Sequence, residues 1–123
     1  MAKIVKVEGY QPVKNAITEF SKSHSLFLLF TGAEDADGRS WCPDCVDAKP
    51  VIFDCLKYAP ENSVLVIGSV GDRNAWKDPN NDFRRDEQLK LTCVPTLIKF
   101  KTPKRLEEEQ CKSAALVSML FED

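Results

Sequence analysis

The chain has 123 residues, with 17 Lys and Arg against 19 Asp and Glu and a formal net charge of -2. Nothing in that balance favours nucleic acid or an anionic membrane as partner, and no run approaches the ~18 apolar residues a membrane span needs. With 43% hydrophobic residues, residues 1–123 suit a single domain that buries roughly two-thirds of its unfolded surface.

Lys3 to Glu8 reads as a short first strand, with Ile4, Val5 and Val7 apolar. Val13, Ala16, Ile17 and Phe20 fall at i, i+3, i+4 and i+7, an amphipathic helix stripe. Pro12 is tolerable in its first turn. His24 is expected on a surface turn. Leu26 to Phe30 is continuously apolar, as in a strand buried on both faces. Gly32 to Ser40 is a polar, glycine-flanked loop. The helix-like run from Val46 to Tyr58 follows, with Cys45, Ala48, Ile52, Cys55 and Leu56 along one face. Pro50 lies inside it and should kink it.

Asn62 to Gly68 is a second buried strand. Trp76 then sits in a polar setting, packed over the core edge or exposed for partners. Asp78 and Pro79 look like an N-cap and first helical residue, with a short helix to about Leu89. Val94 to Phe100 is strand-like after Pro95, and Leu106 to Glu109 pairs with it across a turn at Thr102 and Pro103. A last helix is expected from about Gln110 to Phe121, with Cys111, Ala114, Val117 and Phe121 on one stripe. Glu107 to Glu109 reads as a solvated charge run. The order β-α-β-α-β-α-β-β-α implies an α/β fold, a mixed central sheet with helices on both faces.

Trp41-Cys42-Pro43-Asp44-Cys45 stands between the Leu26–Phe30 strand and the following helix. A Cys-x-x-Cys pair at such a junction reads as a dithiol redox site. Helix-start N–H groups lack partners within the helix, and the dipole places partial positive charge there. Both stabilise a thiolate, the nucleophile in disulfide exchange. A thiol of pKa about 8.5 is only ~3% thiolate at pH 7, whereas one lowered to about 6.5 is roughly three-quarters thiolate. Cys42, at the exposed helix start, is expected to attack. Cys45, one turn in and more buried, is expected to resolve the mixed disulfide. Five cysteines with one close pair do not form a secreted disulfide framework and suit a reducing compartment such as the cytosol. The N-terminus carries no long apolar segment, so no secretory signal is expected.

Three features in this order resemble the thioredoxin family over essentially the whole chain. Trp41-Cys42-x-x-Cys45 looks like its redox motif. Pro50 falls where its members kink the active-site helix. Val94-Pro95-Thr96 resembles the cis-proline segment that faces the dithiol. The Cys-Pro-Asp-Cys core, the lengthened loop before it and the stretch 76–84 are similar to a small cytosolic branch of that family. The resemblance implies a thioredoxin fold and a monomeric protein-disulfide reductase. It implies electrons drawn from NADPH through thioredoxin reductase, and a narrower substrate range than ordinary thioredoxin. No bound cofactor is expected beyond the redox-active disulfide Cys42–Cys45. Pro95, in cis, would expose backbone for substrate docking, and Trp41 would shape an apolar rim. Cys93 would then lie on that rim, as the most accessible of the three further cysteines or as a partly buried residue of no redox consequence.

The sequence also departs from the family. Pro43-Asp44 replaces Gly-Pro between the cysteines. Leu29 stands where thioredoxins carry a buried aspartate, and no lysine occurs in Val64 to Ile67 to partner one. Asp44, or an acid from the loop Glu34 to Asp37, is left as proton acceptor for Cys45. Two other readings compete with the reductase. One is an interaction module with an incidental or regulatory dithiol. The other is a structural zinc site, which usually needs two spaced ligand pairs.

Overall fold

In the computed structural model, which describes residues 2–22 and 24–122, the sheet is built on β2 (Ser25–Thr31). Its Leu26, Leu28 and Phe30 face one core, and Phe27 and Leu29 face the other. Side chains alternate along a strand, so an unbroken apolar run fills both sides of a central strand. β2 pairs in parallel with β3 (Ser63–Ser69), and β3 with β1 (Lys3–Glu8). On its other side β2 pairs antiparallel with β4 (Thr96–Lys99), and β4 with β5 (Arg105–Glu107). The order β1-β3-β2-β4-β5 is the mixed sheet expected from the sequence.

On one face, α1 (Tyr10–Phe20) buries Val13, Ala16, Ile17 and Phe20, the predicted stripe. It lies close to the sheet: a Cβ on Gly68 of β3 would sit 2.7 Å from Val13 Cγ2. His24 is half-buried in the bend before β2, its ring edge-on to Phe20 at 5.6 Å. On the opposite face, α2 (Pro43–Cys55) buries Ala48, Ile52 and Cys55, while Cys45 in its first turn joins the first core. A 3-10 turn carries the chain on through Leu56–Tyr58. Pro50 lies inside α2, which continues past it to Cys55.

The single helix expected from Asp78 to Leu89 is instead two short helices, α3 (Arg73–Lys77) and α4 (Asp82–Arg85). Asp72 and Asn81 are their N-caps, accepting from the N–H groups of Ala75 and Arg84 at 2.8 and 3.0 Å. Asp78 ends α3 in an extended conformation, which the following Pro79 favours. Its carboxylate accepts from Asn80 in the intervening turn. Asn81 prevails because it serves both helices: its amide also donates to the Trp76 carbonyl at 3.0 Å. The helix stops at Arg85 because the Asp86 carboxylate takes the N–H groups of Gln88 and Leu89 at 2.8 and 2.9 Å, which holds a turn.

The final segment differs too. Pairing with β4 ends at Glu107, and a 3-10 turn at Glu108–Lys112 precedes α5 (Ala114–Phe121). Ser113 caps α5 through the Leu116 N–H at 3.2 Å. This break resets the buried stripe to Val117, Leu120 and Phe121 and leaves Ala114 exposed.

Candidate active site

Cys42 is the N-cap of α2, with φ -96° and ψ 108°. Its sulfur accepts the backbone N–H of Cys45 at 3.1 Å. It occupies the place of a capping Ser or Asp, which satisfies one orphan donor of the first turn. The Cys42 N–H donates to Ser40 Oγ at 3.1 Å, and Ser40 Oγ donates to the Gly32 carbonyl at 2.9 Å. Two side-chain bonds thus fix the approach of the polar loop to the helix. Pro43 is the first helical residue, where its missing N–H costs nothing.

Cys42 is not on an exposed surface as expected. It is only 5% accessible, against 3% for Cys45. The sulfur lies in a groove of about 390 Å³ between Trp41, Trp76, Cys93 and Val94, 3.6 Å from the Val94 carbonyl oxygen. The Val94–Pro95 bond is cis, and Thr96 Oγ1 donates to the Cys93 carbonyl at 2.8 Å. The expected facing of dithiol and proline segment is therefore present. It is this segment, brought across 52 residues of chain, that covers the cysteine.

Trp41 is half-buried on the rim. Its indole N–H donates to the Gly71 carbonyl at 2.9 Å, and the ring lies so near Gly32 that a Cβ there would be 2.5 Å from Cε2. The Arg73 guanidinium sits 5.1 Å from the ring centroid and donates to the Trp41 carbonyl at 3.0 Å. Trp76 resolves to the core edge, only 7% accessible, with Arg84 stacked 3.8 Å from its ring centroid.

The two thiols are driven apart. A hydrogen bond from the Cys45 thiol lowers the Cys42 pKa, burial opposes this, and the backbone N–H groups of Cys45 and Asp44 assist, bringing it to about 7. The same bond and deep burial push Cys45 far above the ordinary thiol range. Cys93 is half-buried and raised by burial, while buried Cys111 is pushed up to about 12 by the same cause.

Asp44, one of the acids expected as proton acceptor, is engaged in an ion pair with Lys112 at 2.7 Å. Glu34 pairs with Lys49 at 2.9 Å. Both Glu34 and Lys49 line a second cavity, about 340 Å³, behind the dithiol, whose walls include Cys45, Leu29, Pro50 and Ile67. Leu29 is buried there. No group of three or more potential metal ligands occurs among the described residues. Gly32, Ser40, Arg73 and Lys112 are the contributors that sequence reasoning missed. Only Ser40, two residues before Cys42, carried a local signal.

A buried-sheet α/β domain with a Cys-x-x-Cys pair capping one helix and a cis proline opposite it is a thioredoxin-like domain. The chain belongs to the family described as "Thioredoxin domain-containing protein 17-like, thioredoxin domain", which matches residues 6–123. It is 46% identical to thioredoxin domain-containing protein 17 of Homo sapiens over 119 residues, 97% of this chain and 94% of that one. It is 41% identical to the thioredoxin-like protein Clot of Arabidopsis thaliana, over 84% of this chain and 80% of that one. Among solved structures, oxidised thioredoxin O1 of Arabidopsis thaliana shares the fold, with TM-score 0.61 at 20% identity over 98% and 99% of the two chains. The family fold is generally that of thiol-disulfide oxidoreductases, and the chain carries a nearby Cys42–Cys45 pair.

Proposed function

We propose that the protein is a protein-disulfide reductase. The carrying observation is the Cys45 N–H aimed at the Cys42 sulfur over 3.1 Å, with a thiol that titrates at about 7. The Cys42 thiolate attacks one sulfur of a substrate disulfide. A Cys42–substrate disulfide forms, and the first substrate sulfur leaves as a thiolate that takes up a proton. Cys45 then loses its proton and attacks the Cys42 sulfur. The second substrate thiol is released, and the Cys42–Cys45 disulfide remains. Two electrons and two protons pass to substrate. Thioredoxin reductase, with NADPH as electron source, restores the dithiol. Val94, set by its cis bond to Pro95, presents backbone to the substrate in the groove that Trp41 also lines, and the protein acts as a single-domain cytosolic monomer.

Glu34 receives the Cys45 proton through the cavity they share. Lys49 holds its carboxylate at the cavity wall over 2.9 Å. In single-turnover mixing, Glu34→Gln should slow release of the second thiol on the order of tenfold or more, with the Cys42 attack unchanged. Equal rates for both steps would remove Glu34 from the path.

The function itself is tested by NADPH oxidation with thioredoxin reductase and a disulfide substrate, together with the dithiol's reduction potential. Turnover, and a potential near thioredoxin's value of about −270 mV, is expected. A potential near −120 mV would make the protein an oxidant. No turnover with an intact dithiol would leave an interaction module.

A further inference from the structure

We propose that Lys112 is a positioning residue for the dithiol: it holds the Asp44 carboxylate against its own ammonium and so keeps that negative charge from opposing the Cys42 thiolate. This rests on the reductase reading and deepens it.

The geometry begins with Asp44, in the first turn of α2, two residues beyond the attacking sulfur. A carboxylate there is favourable to the helix dipole. It is unfavourable to a thiolate forming beside it, because a like charge raises a neighbouring acid's pKa. Asp44 acts on Cys42 in that direction. The counter-charge comes from 68 residues further along the chain. Lys112 Nζ lies 2.7 Å from Asp44 Oδ1, 3.0 Å from Glu109 Oε1 and 3.6 Å from Asp47 Oδ2.

Lys112 is held where it is needed. Its neighbour Cys111 is fully buried, the Cys111 thiol donates to the Leu106 carbonyl at 3.4 Å, and Ser113 caps α5. The 3-10 turn is thereby pinned across the first turn of α2. Hydrogen bonds to Asp44 and Glu109 push the Lys112 pKa upward, so it stays charged while Cys42 titrates.

Other groups face Cys42 from each neighbouring element. Cys45 and Asp44 come from α2, Arg73 from α3, Cys93 from the segment before β4, and Glu108 from the 3-10 turn. Arg73 is engaged with the Trp41 carbonyl and ring. Lys112 is the cation bonded to Asp44.

The test is thiolate absorbance against pH at low salt, on reduced wild type, Lys112→Met and Lys112→Arg, each with and without Asp44→Asn. Lys112→Met should raise the Cys42 midpoint on the order of 0.3–0.5 pH unit, the scale of a partly exposed ion pair. Alkylation at pH 6 should slow about two- to threefold in step. Lys112→Arg should restore the wild-type midpoint, and in the Asp44→Asn background Lys112→Met should produce no rise. An unchanged midpoint with a lowered melting temperature would make Lys112 a structural tie and overturn the proposal. So would an equal rise with and without Asp44. The titration uses no substrate, so failure of the reductase assay would leave it readable.

Discussion

The backbone N–H of Cys45 points at the sulfur of Cys42 across 3.1 Å, and the two thiols answer it in opposite directions. Cys42 titrates at about 7, and its folded value lies below an ordinary thiol's. Its alkylation should therefore rise with pH to half its maximum near pH 7, while Cys45 stays protonated. Cys42→Ser should abolish disulfide reduction. Cys45→Ser should accumulate mixed disulfides with substrate, seen on non-reducing gels, because the resolving thiol is gone. Trapping by Cys42→Ser instead would reverse the roles.

Gly32 is the seat of the Trp41 ring. A methyl there meets the indole at 2.5–2.8 Å, and the indole is tethered to the Gly71 carbonyl. Gly32→Ala should displace the ring and cost about 1–3 kcal/mol, the usual range for overpacking. Chemical denaturation measures the cost, and tryptophan fluorescence reports the displacement. Wild-type stability and spectrum would show that the ring yields freely.

Asp86 ties α1 to the turn after α4. Burial opposes its ionisation, but the Tyr10 hydroxyl, the Leu89 and Gln88 N–H groups and Lys14 outweigh this and bring its pKa down to about 2. A carboxylate depressed on folding contributes stability that is present above its unfolded pKa of about 3.9 and is lost as pH falls toward the folded value. The contribution is about 2 kcal/mol at neutral pH. Asp86→Asn should flatten the acid limb of the stability profile between about pH 4 and pH 2, read by urea unfolding at each pH. An unaltered limb would place the acid sensitivity elsewhere.

Cys93 is half-buried, whereas Cys55 and Cys111 are only 4% and 0% accessible. Under native conditions a thiol reagent should label Cys42 first, because its sulfur lines the groove and its thiol is lowered to about 7, then Cys93, with Cys55 and Cys111 labelled only as the fold opens. Burial raises the Cys93 thiol, which sets the gap from Cys42. Peptide mapping over time gives the order. Early labelling of Cys55 would contradict the packing of α2 against α5.

What was readable along the chain was local. The apolar run of β2, the stripe of α1 and the helix-start cysteines are properties of neighbouring residues, whose periodicity and capping chemistry act over a few positions. They place the sheet, α1 and the Cys42–Cys45 pair without knowledge of the rest. The two helices around Asn81 and the break at Ser113 escaped, because adjacent Asp, Asn and Ser compete for the same caps and tertiary packing selects among them. The covering of Cys42 by the Val94–Pro95 segment, the seat of Trp41 on Gly32 and the bond from Lys112 to Asp44 had no local signal beyond the Val94-Pro95-Thr96 motif. Each joins residues brought together only by the sheet order and by the helices packed on it. Coulomb and steric energies depend on that distance in space, not on separation along the chain.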